Sequence, residues 1–249
     1  MFIVAACPFA NALIFFYTIR MIYFSHRGAN TKRVQNTVEA FALAHAQGAT
    51  HYELDVHLLK DGALAVHHDY SLVSTAGVDV QLKNLTAADL QKYPLNNPFT
   101  DKPAYVPLLT EVLPVIAPGA ELINIELKND GNIYPGLEEK LLALLPKNLL
   151  PNILFSSFDY AALARLRALA PQVRLGLLTR QFDVQQALAL GAESVHINHI
   201  RFIPEIARVC HAHGLNVYCY TVNDVTLARQ LAQQGVDGIF TDDVTIFKP

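Results

Sequence analysis

Short apolar runs alternate with amphipathic segments from residue 21 to the end of the chain. The apolar runs are rich in β-branched and aromatic residues, which favours strands, and the segments between them carry the periodicity of helices. Eight strands are predicted, at 22–25, 51–56, 122–127, 152–156, 173–178, 194–198, 216–221 and 238–241. Because strands that alternate with helices form parallel sheets, these units predict a (β/α)8 barrel.

Cap residues place helices between these strands. In NTVEAFALAHAQG, Asn36 is the predicted N-cap, Glu39 its capping-box partner and Gly48 the stop signal. Further helices are predicted at 159–170, 183–190, 203–213 and 223–234. The segment 69–105 breaks the rhythm, since it is rich in Thr, Asn, Asp and Pro and has one short helical candidate at 86–92. We expect it to be an insertion over one face of the barrel.

The first 20 residues form an apolar stretch whose only charge is Arg20. This stretch lacks the basic start of a secretory signal, although its length approaches that of a membrane span. The residues that follow already have the pattern of a strand, so no polar linker separates the stretch from the barrel. We therefore expect Met21 to be the native start, residues 1–20 to lie outside the native domain, and the protein to be cytoplasmic. An N-terminal anchor, or export, is the alternative.

Composition excludes several classes of protein. Hydrophobic residues make up 52% of the chain and charged residues 16%, so the chain is expected to bury a large core. The net charge of −3 and the lack of a Lys/Arg block argue against a nucleic-acid partner. Cys7, Cys210 and Cys219 are too few for a disulfide framework and form no C-x-x-C pair, so they are expected to be buried small side chains.

The densest cluster of titratable residues lies in ELDVHLLKDGALAVHH, which starts at Glu53. Asp61-Gly62 predicts a two-residue type I′ hairpin, and the resulting register sets Asp55 opposite His68. Strand alternation puts Glu53 and Asp55 on one face, where two carboxylates repel unless they share a proton or bind a cation such as Mg²⁺ or Ca²⁺. The alternative is a solvated edge strand with an ordinary loop histidine, and this segment alone does not decide between the two.

Two other predicted strands also end in charged side chains. The first ends in SHRG, with His26 and Arg27, and the third ends in NIELK, with Glu126 and Lys128. Because active sites of such barrels lie at the C-terminal ends of the strands, this placement favours catalysis over a solvated surface. Three carboxylates for a cation, two histidines for proton transfer, and an Arg and a Lys for a phosphate indicate phosphoester hydrolysis.

A set of motifs resembles the glycerophosphodiester phosphodiesterase family over residues 21–249: HRG, QNTVEAF, ELDVHLLKDG, VHHD, NIELK, SSFD, VYCYTVND and GVDGIFTDD. The resemblance implies a TIM barrel with a small insertion after the hairpin of the second strand. It also implies metal-dependent hydrolysis of small glycerophosphodiesters to glycerol 3-phosphate and an alcohol.

The resemblance also implies roles for individual residues. Three residues match the metal-ligand positions of the family: Glu53, Asp55 and Glu126. They would hold one divalent cation, which is Mg²⁺ or Ca²⁺, with Mn²⁺ as a third candidate. The general acid/base pair is matched by His26 and His68, and the phosphate-binding and substrate positions by Arg27, Lys128, Asn36 and Tyr220. Which histidine is the acid stays open. His67 is left out because it is expected to face away from His68.

Two positions depart from the family pattern. The usual Glu before Asn36 is Gln35, and losing that charge favours weaker metal affinity or a shift in the preferred ion. The usual Trp is Tyr220, which keeps a flat wall and adds a hydroxyl. One alternative function is a lysophospholipase D reaction, which the polar insertion disfavours. The other is a non-catalytic barrel that binds a phosphoester, for which Gln35 is the best support.

Overall fold

The computed structural model describes residues 21–247, which form a closed parallel barrel. The strands in this range are β1 (Ile22–His26), β2 (His51–Leu58), β3 (Leu64–Val66), β4 (Leu122–Leu127), β5 (Ile153–Ser157), β6 (Arg174–Thr179), β7 (Ser194–Asn198), β8 (Asn216–Tyr220) and β9 (Gly238–Thr241). All but β3 are parallel, and they close in the order β1-β2-β4-β5-β6-β7-β8-β9, with β9 paired to β1. The predicted strands and the (β/α)8 barrel are confirmed.

Helices cover the outside of the barrel. The α-helices within residues 21–247 are α1 (Val38–Ala46), α2 (Val73–Ala76), α3 (Leu109–Ile116), α4 (Leu137–Leu144), α5 (Tyr160–Leu169), α6 (Val184–Leu190), α7 (Pro204–Ala212) and α8 (Val225–Gln233). The helices α5 to α8 each begin one or two residues after the predicted start. Three begin there because Asp159, Asp183 and Asp224 are N-caps whose carboxylates accept first-turn N–H groups.

Residues 1–20 and Cys7 lie outside the described residues. Cys210 and Cys219 are buried free thiols, as predicted. None of the helices in the described range combines the length and apolar character that crossing a membrane requires.

The start of α1 differs from the prediction. The N-cap is Thr37, whose hydroxyl accepts the N–H of Ala40 at 3.2 Å. Asn36 instead has a left-handed φ of 57°, and its amide points to Asp55. The predicted cap at Asn36 is therefore wrong, because a buried carboxylate binds the side chain that would have capped the helix. Gly48, with φ of 76°, ends the helical segment as predicted.

The hairpin between β2 and β3 has a different register from the predicted one. The N–H of Leu59 donates to the carbonyl of Ala63 at 2.8 Å, so the loop has three residues, and His57 pairs with Ala65. Within this loop only Gly62 has a positive φ, 85°, as in a type I turn followed by a left-handed glycine. The predicted type I′ turn is therefore wrong, and the register moves by one residue.

The segment between β3 and α3 is an insertion with its own apolar cluster. It contains α2 and two short 3₁₀ turns, Leu82–Asn84 and Ala87–Lys92, the second of which matches the predicted helical candidate. The buried members of this cluster are Leu59, Ala65, Leu72, Leu82, Leu85, Leu90, Leu95, Ala104 and Val106. Asp61 joins the hairpin turn to this segment, because its carboxylate accepts the N–H of Ala87 at 2.9 Å.

Apolar side chains also fill the inside of the barrel. They form a cluster separate from the main core between strands and helices, and its buried members are Phe24, Leu122, Leu154, Tyr218 and Phe240. The charged residues that the sequence singles out lie at the carboxyl ends of β1, β2 and β4. The barrel therefore has an apolar cluster in its interior and charged side chains at its rim.

Candidate active site

Strand register brings four of the predicted site residues to this rim. His26 pairs with Glu53 across β1 and β2, and Asp55 pairs with Glu126 across β2 and β4. Side chains paired in register on neighbouring strands point to the same face, and residues i and i+2 of one strand share that face. The four side chains therefore converge at the carboxyl ends of the strands, where barrels of this architecture carry their active sites.

Glu53, Asp55 and Glu126 form a carboxylate triad. One oxygen atom of each lies within 4.8 Å of the others, and the three side chains are 4%, 0% and 12% exposed. Burial raises the pKa of Glu53 well above its ordinary value and that of Glu126 to about 6, and the charge of Asp55 adds to both shifts. Buried like charges at this spacing are a ligand set for a hard divalent cation.

Buried oxygen atoms at the triad fit such a cation. Oδ1 of Asp55 is buried and lies 3.0 Å from the ammonium Nζ of Lys128. Oδ2 of Asp55 accepts the amide of Asn36 at 2.8 Å, and the amide oxygen of Asn36 is itself buried without a hydrogen bond in this range. Because unsatisfied buried acceptors are costly, a cation beside them would stabilise the site.

Lys128 holds two of the carboxylates from the other side. Its Nζ lies 2.6 Å from Oε1 of Glu126 and 3.0 Å from Oδ1 of Asp55. Burial alone would lower the pKa of Lys128, but the two carboxylates raise it above its ordinary value. Burial alone would raise the pKa of Asp55, but Lys128 and Arg27 bring it well below its usual range. Lys128 is therefore charged and Asp55 ionised at neutral pH.

A tight turn after β1 orients Arg27. Its φ is 59°, and its N–H donates to Oε2 of Glu53 at 3.1 Å. Gly28 follows with φ of 82°, and a Cβ there would lie 2.6 Å from the carbonyl carbon of Ala40, so the turn requires glycine. Nε of Arg27 lies 3.5 Å from Oδ2 of Asp55. The guanidinium therefore faces the triad, as the predicted phosphate-binding role needs.

Gln35 contacts Arg27 rather than the triad. Its amide oxygen accepts a hydrogen bond from Nη1 of Arg27 at 2.6 Å. Within residues 21–247, no hydrogen bond joins Gln35 to a carboxylate of the triad. The family's Glu would therefore place its charge beside Arg27, and Gln35 takes no charge away from the candidate metal ligands Glu53, Asp55 and Glu126.

His26 is held by a residue from the opposite end of the chain. Its Nδ1 lies 2.7 Å from Oδ1 of Asp242, and its Nε2 lies 4.0 Å from Oε2 of Glu53. Oδ1 of Asp242 also accepts the amide of Asn30 at 2.6 Å, and Oδ2 accepts that of Asn223 at 2.6 Å. Burial lowers the pKa of His26, while the hydrogen bond to Asp242 raises it in part. Nε2 is thus left facing the site.

His68 also has a carboxylate partner. Its Nδ1 lies 2.6 Å from Oδ1 of Asp69, whose Oδ2 accepts a hydrogen bond from Ser74. Burial lowers the pKa of His68, and the charge of Asp55 opposes this shift. His67 faces away, as predicted, because its Nε2 contacts the hydroxyl of Thr75 at 2.9 Å. β3 ends at Val66, so His68 lies beyond the paired residues of the hairpin. The one-residue change in register therefore does not turn His68 away from the site.

Two cavities meet at these side chains. The inner cavity, of about 90 Å³, is lined by His26, Arg27, Glu53, His68, Asn124, Glu126, Lys128, Phe158, Leu178, His196, Tyr220, Thr221 and Phe240. In its apolar wall, the ring of Tyr220 stands edge-on to Phe158 with 6.2 Å between the ring centroids. The outer cavity, of about 390 Å³, shares His26 and Arg27 with the inner one. Most predicted site residues line the inner cavity, and Asp55 and Asn36 lie buried behind it.

Sequence reasoning missed the two carboxylates that orient the histidines. Asp69 directly follows the VHHD histidines, and Asp242 lies in GVDGIFTDD, so both stand in motifs that the sequence singles out. Neither residue could be paired with its histidine from spacing alone. The adjacency of Asp69 to His68, and the end of β9 at Thr241, are the signals that point to them.

Comparison with known proteins assigns the chain to a family. The model of the glycerophosphoryl diester phosphodiesterase family matches residues 26–246. The chain belongs to this family. The predicted family is confirmed, and so is the prediction that the chain is a phosphodiesterase.

Named relatives and solved structures agree with this assignment. A glycerophosphodiester phosphodiesterase of Caldanaerobacter subterraneus is 34% identical, covering 90% of this chain and 95% of the relative. One from Bacillus altitudinis is 35% identical, covering 88% and 93%. An Oleispira antarctica phosphodiesterase, solved in complex with the product sn-glycerol-3-phosphate, is 29% identical with a TM-score of 0.78, covering 89% of this chain and 92% of that one.

Proposed function

We propose that this protein hydrolyses glycerophosphodiesters to glycerol 3-phosphate and an alcohol, using one divalent cation and two histidines. The observation that carries the proposal is that Glu53 and Glu126 of the carboxylate triad line one cavity with His26 and His68, with Asp55 buried behind them. The Oleispira relative, which binds glycerol 3-phosphate as its product, supports the same substrate class.

The triad of Glu53, Asp55 and Glu126 would hold the cation. Oxygen-only donors favour Mg²⁺ or Ca²⁺, with Mn²⁺ as a third candidate. When bound, the cation supplies Lewis-acid polarisation of a phosphoryl oxygen. Asp55 is ionised without it because Lys128 and Arg27 offset its burial, so one ligand is ready for metal binding at neutral pH.

Arg27 and Lys128 would bind the phosphate and stabilise the charge that develops on it. Both lie at the rim beside the triad, where low solvent exposure strengthens their interaction with an anion. Arg27 is aimed by the turn at Gly28, so little reorganisation accompanies binding.

His26 and His68 would move the protons. One takes a proton from the nucleophile, which is water or the neighbouring glycerol hydroxyl, and the other gives a proton to the alkoxide oxygen as its bond to phosphorus breaks. Attack by the glycerol hydroxyl gives a cyclic phosphate, which water then opens to glycerol 3-phosphate. Asp242 and Asp69 fix the rings of His26 and His68 by binding Nδ1 of each, which leaves each Nε2 for proton transfer.

Product release tests the proposal directly. Glycerol 3-phosphate is measured from glycerophosphocholine, glycerophosphoethanolamine and glycerophosphoglycerol, with EDTA and with Mg²⁺, Mn²⁺ or Ca²⁺ restored. We expect metal-dependent release that His26→Ala loses, and that the exposed His213→Ala variant keeps. Release from lysophospholipids alone would favour the lysophospholipase D reaction. A folded, metal-loaded protein that releases nothing from any of these substrates would favour a binding barrel.

A further inference from the structure

The two cavities divide the space around the phosphate site unequally. The inner cavity of about 90 Å³ lies over the barrel and is the less open of the two, whereas the outer cavity of about 390 Å³ opens beside the insertion. His26 and Arg27 line both, so a phosphate bound by Arg27 lies at their junction. A phosphodiester has two ester arms on one phosphorus, and this geometry gives each arm a cavity.

The volumes of the two cavities indicate which ester arm each cavity binds. On the proposed function, glycerol is the arm that every substrate shares, and it matches the small inner cavity with its fixed wall of Tyr220 and Phe158. The alcohol varies between substrates, so it belongs in the larger outer cavity. The residues lining that outer cavity then decide which alcohol binds.

Hydrogen-bond donors without protein partners line the outer cavity. The side chain of Arg33 makes one hydrogen bond, from Nη1 to the carbonyl of Lys32, and no carboxylate within residues 21–247 lies within salt-bridge distance of it. Gln35 uses its amide oxygen for Arg27, which leaves its NH₂ group without a partner in the described part of the chain. The side-chain amide of Asn96 likewise makes no hydrogen bond in this range and is exposed.

The carboxylate of the outer cavity, in contrast, is already used. Its lining contains one carboxylate, Asp242, which binds His26, Asn30 and Asn223. Phe99 is the one Phe, Tyr or Trp residue in its lining, so there is no aromatic cage for a quaternary ammonium. A choline group would therefore meet the positive charges of Arg27 and Arg33 with no free carboxylate to offset them.

We propose that the outer cavity binds the alcohol of the substrate and selects polyols, such as glycerol or inositol, over choline. This inference rests on the proposed function and adds its alcohol specificity. Hydroxyl groups accept hydrogen bonds from Arg33, Gln35 and Asn96 without introducing a positive charge. Choline offers these donors no acceptor, so its ester gains none of these hydrogen bonds.

Gln35 gives the proposal a sharp test because it borders the outer cavity and touches Arg27. Gln35→Glu would place a carboxylate in the cavity at nearly unchanged shape. That charge would attract the trimethylammonium group and weaken the donor character of the lining. We expect the preference for polyols to fall in this variant, whatever happens to the overall rate as Arg27 gains a charged partner.

The experiment compares kcat/KM for glycerophosphoglycerol, glycerophosphoinositol and glycerophosphocholine, using the full chain with a saturating divalent cation. We expect the two polyol substrates to exceed the choline substrate by about tenfold or more, the effect of about one well-placed polar contact. Arg33→Gln and Gln35→Glu should each reduce this ratio several-fold, with Arg33→Gln acting mainly through KM for the polyols. Arg229→Gln, an equal charge change on the exposed face of α8, should leave the ratio as it is.

The possible results distinguish a failure of the proposed alcohol specificity from a failure of the proposed function. Release of glycerol 3-phosphate with choline equal to or above the polyols overturns the inference and leaves the proposed function in place. Unchanged ratios in both Arg33→Gln and Gln35→Glu also overturn it. A lack of release from all three substrates overturns the proposed function and the inference together.

Discussion

Nδ1 of His26 lies 2.7 Å from Oδ1 of Asp242, although 216 residues separate the two along the chain. The contact exists because β1 and β9 are neighbours in the closed barrel, so the two ends of the described chain meet at the site. Asp242 is itself oriented by the amides of Asn30 and Asn223. The position of His26 therefore depends on barrel closure.

Replacing Asp242 tests this relationship. Asp242→Asn removes the anion that raises the pKa of His26 against burial, so the pH–rate limb that belongs to His26 should move to lower pH. We expect kcat to fall by on the order of tenfold or more as the ring loses its orientation. Asp243→Asn is the matched control, because Asp243 binds Lys32 and Thr245 instead of His26. A lower kcat with the limb unmoved would contradict the assigned role of Asp242.

Removing one carboxylate of the triad should have opposite effects on thermal stability without and with metal. Without metal the variant should be the more stable protein, and with metal the less stable one. Without metal, Glu53→Gln relieves repulsion between buried carboxylates, and its melting temperature should exceed that of the unaltered protein by about 2–4 °C for about 1 kcal/mol of relief. With Mg²⁺ or Ca²⁺ added, the unaltered protein should gain stability and the variant should not. Thermal melts with and without EDTA measure both differences. An equal metal-induced gain in the two proteins would remove Glu53 from the ligand set.

Lys128 and Lys92 form a matched pair for the effect of burial. Each Nζ lies 2.6 Å from a carboxylate oxygen, but the side chain of Lys128 is 10% exposed and that of Lys92 is 66% exposed. Lys128→Met leaves Asp55 and Glu126 buried without their cation, so unfolding in urea, followed without metal, should show a loss of about 3–5 kcal/mol. Lys92→Met should leave stability unchanged within error because water screens the exposed pair. Equal effects of the two substitutions would contradict this reasoning.

His196 should make stability depend on pH. Burial lowers its pKa to about 3, whereas an unfolded histidine titrates near pH 6.5. Between these values the unfolded state binds a proton that the folded state does not, so the free energy of unfolding falls as pH drops below about 6.5. From pH 7.5 to pH 5.0 the loss from this group is about 2 kcal/mol.

The test for His196 compares how much unfolding free energy the unaltered protein and a variant each lose between pH 7.5 and pH 5.0. Urea unfolding of the unaltered protein and of His196→Gln, each at pH 7.5 and pH 5.0, gives the pH-dependent loss for each. The variant should lose about 2 kcal/mol less over this range, even if it is less stable at both pH values. Equal losses in the two proteins would show that His196 is not the group responsible.

The elements that could be predicted from the sequence depend on local patterns. β-rich runs and helical periodicity carry their own signals, so the barrel strands and the helices α5 to α8 agree with prediction. The convergence of Glu53, Asp55 and Glu126 was also predictable, because it needs only strand alternation and the rule that parallel strands end at one rim.

The features that were mispredicted depend on contacts distant in sequence. Asn36 has a good N-cap side chain, but Asp55, across the fold, binds its amide, so Thr37 caps the helix instead. The turn at Asp61 accepts the N–H of Ala87 in the insertion, which a local reading of Asp-Gly cannot include. Asp242 was missed for the same reason, because its partner lies at the other end of the barrel sequence.

The separate apolar cluster of the insertion also has an evolutionary consequence. Because Leu72, Leu82 and Leu90 pack with one another and not in the main core, substitutions among them act on the wall of the outer cavity before they act on the barrel. The triad and His26 stand on barrel strands, whereas Asp69 and Ser74, which hold His68, come before most of this cluster. On the proposed function, exchange of the segment after Ser74 would therefore change the alcohol that is accepted while the bond-breaking machinery stays as it is.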